Sequence, residues 1–412
     1  MNVIVTPGKL VGSVRVPASK SAAHRALICA ALADSPTRIG ISALNRDIEA
    51  TMDCLAALGA KLTRDGDAWT VEPIREVPET AELDCGESGS TLRFMLPVAA
   101  ALGVKARLTG RGRLPQRPNA PLTAALREHG AIIDSDALPL NLSGGLSGGR
   151  WTLPGNISSQ YVTGLLFALP LLAGDSELML TTALESSAYV DMTLQALRRF
   201  GICVEAAGNG WRVPGGQRYH SPGALAVEGD WSAAAFWLAA NALGGDVRVE
   251  GLSEDTAQGD RAVTGLLGKP TIDAGGVPDL VPALAVVAAP LPQVTRITGA
   301  ARLRLKESDR LESVAALLRA LGHDVEVKPD GLAISGGAPA PCPEAVRTVD
   351  GANDHRIVMA AAVAAAHADR PVRITDAQAV EKSYPDFWKD LENLADERSR
   401  TCQVSGSESA SD

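Results

Sequence analysis

Six times along the chain a short polar motif gives way to a nearly unbroken apolar run and then to a β-branched segment. The motifs are Ala18-Ser19-Lys20-Ser21, Gly86-Glu87-Ser88-Gly89-Ser90, Ser158-Ser159-Gln160, Gly229-Asp230-Trp231-Ser232, Val277-Pro278-Asp279 and Gly351-Ala352-Asn353-Asp354-His355-Arg356. The runs after them read RALICAALAD, FMLPVAAALG, LLFALPLLAG, FWLAANALGG, ALAVVAAPL and IVMAAAVAAA, and strands such as ARLTG, ELMLTT, DVRVEG, TRITG and VRITD come next. A helix that is apolar on most of its faces is a buried helix, so each motif is expected where a buried helix begins. The first N–H groups of a helix lack intrahelical partners and carry the positive end of its dipole. Six such starts directed at one place would make a strong anion site.

A second pattern runs beside the first. Amphipathic stretches DIEATMDCLAALG, APLTAALREHG, DMTLQALRRFG and SDRLESVAALLRALG each end at glycine, the residue expected just past a helix C-terminus. Hairpin-like segments follow, among them AKLTRDGDAWTVEP, ICVEAAGNGWRVPG and HDVEVKPDGLAISG, with Asp-Gly or Asn-Gly at the turn. Gly59, Gly130 and Gly201 are evenly spaced, since 130 − 59 and 201 − 130 both equal 71. A whole supersecondary unit is therefore repeated, and the predicted fold class is α/β: two pseudo-threefold domains, each of three α/β units with buried helices. Domain one is expected to be discontinuous, 1–14 with 229–394, and domain two to span 15–228. The polar, Ser-rich tail 395–412 reads as disordered.

Composition narrows the class of function. With 412 residues, 46% of them hydrophobic, and a formal net charge of −9, the chain can bury a large core and offers no basic block for nucleic acid. The start MNVIVTPGKL lacks the layout of a signal peptide, and no apolar run approaches the roughly 20 residues that span a bilayer. A cytoplasmic location without membrane partners is the expectation. The six cysteines show no C-x-x-C and no zinc-like spacing with histidine, so no metal is expected.

Several motifs carry candidate chemistry, each with a plainer alternative. Lys20, Ser21 and Arg25 stand around the first turn of the first buried helix, where side chains at i and i+4 share a face, and suit a phosphate or carboxylate, but Ser19 could simply cap the helix while Lys20 and Arg25 stay solvated. Gly86 to Arg93 could present N–H groups and hydroxyls to an anion, and Ser158-Ser159-Gln160 could do the same, although an ordinary cap would look alike. Lys306-Glu307-Ser308-Asp309-Arg310 could be a solvated charged face. Asp354-His355-Arg356 precedes an apolar run, so Arg356 is expected to be buried and to need a partner.

Taken in order, ASKSAAHR, CGESGSTLRF, LPQRP, ISSQY, SSAY, VPDL, RLKESDR, NDHR and EKSYPDFW resemble the enolpyruvyl transferase family, over about Pro7 to Leu394. Within it, K-E-S-D-R followed by D-H-R is similar to the branch that acts on shikimate 3-phosphate. The family's fold, an inside-out α/β barrel of two three-unit domains, agrees with the sixfold pattern. The resemblance implies transfer of the enolpyruvyl group of phosphoenolpyruvate to the 5-hydroxyl of shikimate 3-phosphate, releasing phosphate, in the route to chorismate. It implies no metal and no cofactor, and a monomer is expected. Carried over by position, Lys20, Ser21, Arg25, Ser158, Ser159, Gln160, Ser186, Tyr189, Asp279 and Lys306 match shikimate-phosphate contacts. Lys20, Gly89, Arg117, Gln160, Arg310, Arg356 and Lys382 match phosphoenolpyruvate contacts. Asp279 with Lys306 would take the hydroxyl proton, and Glu307 or Lys20 would protonate C3.

Three positions depart from the family pattern: Glu87 and Arg302, where relatives have Asn, and Ala188, where others have Pro. The family's branch acting on UDP-N-acetylglucosamine uses a cysteine that the loop Arg111 to Pro118 lacks. A noncatalytic metabolite-binding homologue would be signalled by loss of a matched Lys or Asp.

Overall fold

The computed structural model describes residues 1–395 and 402–404, and the chain in it divides into two compact units. One comprises Met1–Pro17, Gly229–Glu254 and the chain from Gly259 onward; the other comprises Ala18–Glu228 with Asp255–Gln258. The first boundary thus lies at Pro17 and not at residue 14. The reason is strand pairing: Val11–Arg15 runs parallel to Asp246–Glu250, and Val16 N–H donates to the Glu250 carbonyl at 3.1 Å. Asp255–Gln258 groups with Ala18–Glu228, where the Thr256 hydroxyl donates to the Glu228 carboxylate at 2.8 Å.

The expected disordered tail needs a correction at three residues. Cys402–Val404 pairs antiparallel with Asn2–Val5, whose outer edge would otherwise leave a row of N–H and C=O groups unpaired. Residues 396–401 and 405–412 lie outside the described residues.

Repetition is visible in the sheets. In the Ala18–Glu228 unit, three four-stranded sheets share one plan: a parallel pair followed by two antiparallel steps. Thr80–Asp84 beside Lys105–Thr109, then Leu140–Ser143, then Ile132–Ile133 is one of them. The sheets built on Thr37–Gly40 and on Ser176–Leu180 follow the same plan. The other unit repeats it twice, around Thr295–Thr298 and Val372–Ile374, and adds the two-stranded sheet of Val11–Arg15.

The apolar runs form the buried helices Lys20–Ala31, Gly89–Leu102, Ser159–Ala168, Trp231–Ala242, Val281–Ala288 and His355–Ala366. Around them lie amphipathic helices such as Arg46–Ala57, Ala120–Glu128 and Ser187–Arg199. Gly59, Gly130 and Gly201 follow these helices at φ of 105°, 109° and 77°, the left-handed geometry that favours glycine after a helix. Each unit has its own apolar core.

One helix contact is close enough to exclude a side chain. Pro97, inside Gly89–Leu102, has no N–H to give the Arg93 carbonyl in the usual i to i−4 bond. Gly164 packs against that carbonyl: a Cβ there would collide with Arg93 O and come within 3.1 Å of Pro97 Cγ. Because overpacking costs about 1–3 kcal/mol and each kcal/mol moves Tm by about 2–4 °C in a domain this size, Gly164→Ala is expected to lower Tm by roughly 2–12 °C. A thermal melt unchanged to within a degree would show that the two helices can part at no cost.

Candidate active site

Five of the six buried helices begin on a side chain that accepts a hydrogen bond from their first turn. Ser19 accepts from Ala22 N–H, Ser88 from Thr91, Ser158 from Gln160, Asp230 from Ser232 and Ala233, and Asp354 from Arg356. The plain capping role foreseen for Ser19 and Ser158 is therefore real, and it coexists with charged neighbours that are not simply solvated. Val281–Ala288 differs, because a short 3-10 turn, Pro278–Leu280, precedes it and no side chain caps it. The Asp279 carboxylate in that turn is engaged by cations instead.

In the Ala18–Glu228 unit, Lys20 Nζ lies 3.0 Å from Asp47 Oδ2, both side chains mostly buried. Arg25, on the same helix face as Ser21, is buried and donates to Thr193 Oγ1 at 2.9 Å, Ser21 O at 2.6 Å and Tyr189 O at 2.7 Å. None of these three partners carries charge, and the guanidinium lies 5.5 Å from the centre of the Phe94 ring. Burial lowers its pKa to about 10. A buried cation with only neutral partners favours an anion beside it.

Gly89 opens the second buried helix directly under Arg117: a Cβ on Gly89 would sit 2.6 Å from Arg117 Nη1. Gln160 donates to Ser90 Oγ at 2.9 Å and accepts from Arg93 at 2.6 Å, and Arg93 also donates to Asn119 and Pro118. The structure thus brings together Lys20, Ser21, Arg25 and the Tyr189 backbone as one group, and Gly89 with Arg117 as another. Ser159 is buried at its helix start, and Ser186 holds a left-handed backbone, φ 55°, ahead of Ser187–Arg199. Of the departures, the Glu87 carboxylate lies against Gly112, Ala188 continues the helix that Ser187 starts, and Arg302 donates to the Gly275 carbonyl at 2.8 Å.

In the other unit, Arg310 is 1% exposed at its side chain and spans three carboxylates: Asp354 at 2.7 Å, Asp279 at 2.7 Å and Glu307 at 2.6 Å. Asp279 is shared further with Arg356 at 3.1 Å and Lys306 at 3.7 Å. Three carboxylates thus face three cations, and Lys382, whose Nζ donates to Asn353 O at 2.7 Å, adds one more positive charge at the start of His355–Ala366. Burial alone would raise the Asp279 pKa, but Arg356, Lys306 and Arg310 outweigh it and hold the carboxyl well below its usual range. For Arg310, burial opposes the charge and the three carboxylates more than restore it. Arg356 is buried with an acidic partner, as its place before an apolar run requires, and Arg310 is no part of a solvated face.

Sequence reasoning passed over three acids. Asp47 carries no local signal, because an acid in the first turn of a helix is ordinary. Asp354 was visible within its motif, but not as the carboxylate that holds Arg310. Asp260 stands outside every motif; it is buried, its Oδ2 accepts from the Ser232 hydroxyl, and its Oδ1 has no hydrogen-bond partner among the described residues. Burial, and after it the charge of Asp279, push its pKa up to about 7.

Comparison with known proteins shows what the whole chain is similar to. The sequence model of EPSP synthase (3-phosphoshikimate 1-carboxyvinyltransferase) matches residues 4–270 and 266–391. The chain is 39% identical to a 3-phosphoshikimate 1-carboxyvinyltransferase of Clostridium kluyveri, over 96% of this chain and 97% of that one. It is also 39% identical to the one from Clostridium beijerinckii, over 95% and 97%. Among solved structures, EPSP synthase from Acinetobacter baumannii matches with a TM-score of 0.80 at 25% identity, covering 98% of this chain and 100% of that one. The enolpyruvyl transferase NikO from Streptomyces tendae matches with a TM-score of 0.77 at 20% identity, covering 97% and 98%, a likeness of fold alone.

The raised pKa of Asp260 has a definite sign in stability. Below the unfolded value of about 3.9 the group is protonated in both states and costs nothing; as pH rises to about 7 the folded state must keep a proton that the unfolded chain gives up. Stability on the order of a few kcal/mol is lost across that window. Asp260→Asn is therefore expected to melt higher than the parent at pH 8 but not at pH 4.5, and an equal difference in Tm at both pH values would contradict this.

Proposed function

From the premise that this chain belongs to the EPSP synthase (3-phosphoshikimate 1-carboxyvinyltransferase) family, we infer that the clustered side chains of its two units divide the work of enolpyruvyl transfer. The family reaction moves the enolpyruvyl group of phosphoenolpyruvate to the 5-hydroxyl of shikimate 3-phosphate and releases phosphate, within the shikimate pathway. Among the described residues, no helix is long and apolar enough to cross a membrane. A cytoplasmic monomer is the working form we propose. The finer architecture we propose is two pseudo-threefold units in the inside-out α/β barrel manner; the recurring sheet plan supports it.

The observation that carries the assignment of roles is the ion cluster on Asp279. A carboxylate held by three cations is a weak base, yet those cations suit the anionic groups of phosphoenolpyruvate. We assign Arg310, Arg356 and Lys382, with Lys20, Gly89, Arg117 and Gln160, to that substrate. Its phosphate and carboxylate draw cations from Asp279, and the Asp279 pKa climbs back toward its ordinary value as they leave. Asp279 then accepts the 5-hydroxyl proton with Lys306 beside it, while C3 gains a proton from Glu307 or Lys20. The tetrahedral adduct keeps its carboxylate and phosphate, which the same cations balance. Running the acid and base roles in reverse expels phosphate.

Shikimate 3-phosphate falls to Lys20, Ser21, Arg25, Ser158, Ser159, Gln160, Ser186 and Tyr189, with Asp279 and Lys306. The buried Arg25, with its three neutral partners, supports this, because a phosphate supplies the charge that Thr193, Ser21 and Tyr189 do not. Every matched Lys and Asp is present, which argues against a noncatalytic binding homologue.

Phosphate release should require both phosphoenolpyruvate and shikimate 3-phosphate; release on omission of either would overturn the reaction. Lys20→Ala, Asp279→Ala and Arg356→Ala should each leave folded protein with activity lowered at least about 100-fold. A folded variant with near wild-type turnover removes that residue from the assignment.

Glyphosate, a small dianion, should inhibit in competition with phosphoenolpyruvate through the same cations. Gly89→Ala must push the Arg117 guanidinium aside, given the 2.6 Å approach, and should weaken the longer inhibitor more than the substrate. Steady-state inhibition with varied phosphoenolpyruvate tests this, and inhibition unchanged by Gly89→Ala would show that Arg117 does not gate the pocket.

A further inference from the structure

His24 is an unusual residue for its place, a fully buried imidazole on the otherwise apolar face of Lys20–Ala31. Its Nδ1 lies 2.8 Å from Thr51 Oγ1, Thr51 Oγ1 lies 2.7 Å from Thr91 Oγ1, and the Thr91 hydroxyl reaches Ser88 Oγ at 2.8 Å and the Asp47 carbonyl at 3.3 Å. Three helices, Lys20–Ala31, Arg46–Ala57 and Gly89–Leu102, are joined by this chain. A histidine that merely satisfied itself in the core would need one partner and no sequel.

The direction of the chain follows from counting protons. Burial, then the charges of Lys20 and Arg25, hold the His24 pKa well below its ordinary value, so the ring is neutral with a single N–H. Nε2 is buried without a hydrogen-bond partner among the described residues, and the nearby Phe94 ring, its centre 6.2 Å from that of the imidazole and nearly perpendicular to it, offers no lone pair. An orphaned buried N–H is rarer and costlier than an orphaned lone pair. The proton therefore belongs on Nδ1. Each threonine hydroxyl has one proton to give, so Nδ1–H donates to Thr51, Thr51 to Thr91, and Thr91 shares its single proton between Ser88 Oγ at 2.8 Å and the Asp47 carbonyl at 3.3 Å. In the other tautomer Thr51 turns its proton to the ring, Thr91 turns its own back to Thr51, and the Asp47 carbonyl loses that donor.

Both acceptors at the Thr91 end of the chain touch the site. Asp47 carries the carboxylate that meets Lys20, and Ser88 caps the helix that Gly89 opens beneath Arg117. We infer that His24, Thr51 and Thr91 are positioning residues: a one-way buried relay that fixes Lys20, through Asp47, relative to the Gly89 helix start, and so sets the affinity for phosphoenolpyruvate. The inference rests on the roles proposed for Lys20 and Gly89.

Two measurements test it. In 15N-histidine NMR of the whole protein, with the His24 signals identified by their loss in His24→Asn, His24 is expected as the Nδ1–H tautomer. Thr51→Val keeps the side-chain shape and removes the hydroxyl; it should raise KM for phosphoenolpyruvate about tenfold, the effect of leaving buried polar groups unmatched, with kcat within about threefold. Thr51→Ser should restore KM. An Nε2–H tautomer, a KM unmoved in Thr51→Val, or a raised KM that Thr51→Ser does not restore would each overturn the relay. Should Thr51→Val fail to fold, the tautomer in the parent protein still decides. If Lys20→Ala leaves phosphoenolpyruvate use intact while His24 is the Nδ1–H tautomer, the site assignment has failed and not the relay.

Discussion

A helix that is apolar all round can be buried along its length, but its first turn cannot be left bare there, because the N–H groups at that end have no partner within the helix. This protein meets that constraint with Ser19, Ser88, Ser158, Asp230 and Asp354, each accepting from the turn it precedes. Polar side chains are thereby committed to helix starts before any question of function arises. The helix dipole makes the same places hospitable to anions. Chemistry collects at these ends because the core allows it in few other places.

The two units prepare for anions in opposite ways. Around Arg310 the cations are already matched by Asp279, Glu307 and Asp354, so an incoming anion must displace a carboxylate from them. The pairing protects a buried cluster, since unpaired buried charge is costly, and on the roles proposed above its exchange for an anion would release Asp279 to act as a base. Arg25 is the contrary case. Its guanidinium rests on Phe94 and on uncharged oxygens, and an arriving phosphate has nothing to displace. On the proposed roles, binding at Arg25 would be direct, while binding near Arg310 would carry a change of protonation with it.

Much of this was legible in the chain itself. The apolar runs marked the buried helices, the glycines at 59, 130 and 201 marked helix ends by their left-handed backbone, and the capping residues stood where the runs began. These are local matters: periodicity reports which face is buried, and a cap or a C-terminal glycine acts within a few residues of itself. The boundary expected at residue 14 stopped short of Pro17 for a nonlocal reason, because nothing in Val11–Arg15 reveals that its partner strand is Asp246–Glu250.

What the sequence by itself determined, then, is the list of elements and the ends at which chemistry could sit. Only the tertiary structure decided which charges answer one another: Asp279 and Arg356, 77 residues apart, Arg310 and Asp354, 44 apart, and the passage from His24 through Thr51 to Thr91. Asp47, Asp260 and Thr51 look ordinary along the chain and acquire their roles from segments far away. The physical reason is that hydrophobic periodicity is written residue by residue, whereas the worth of a charge or a hydroxyl depends on its burial and its partner, and both are properties of the folded molecule alone.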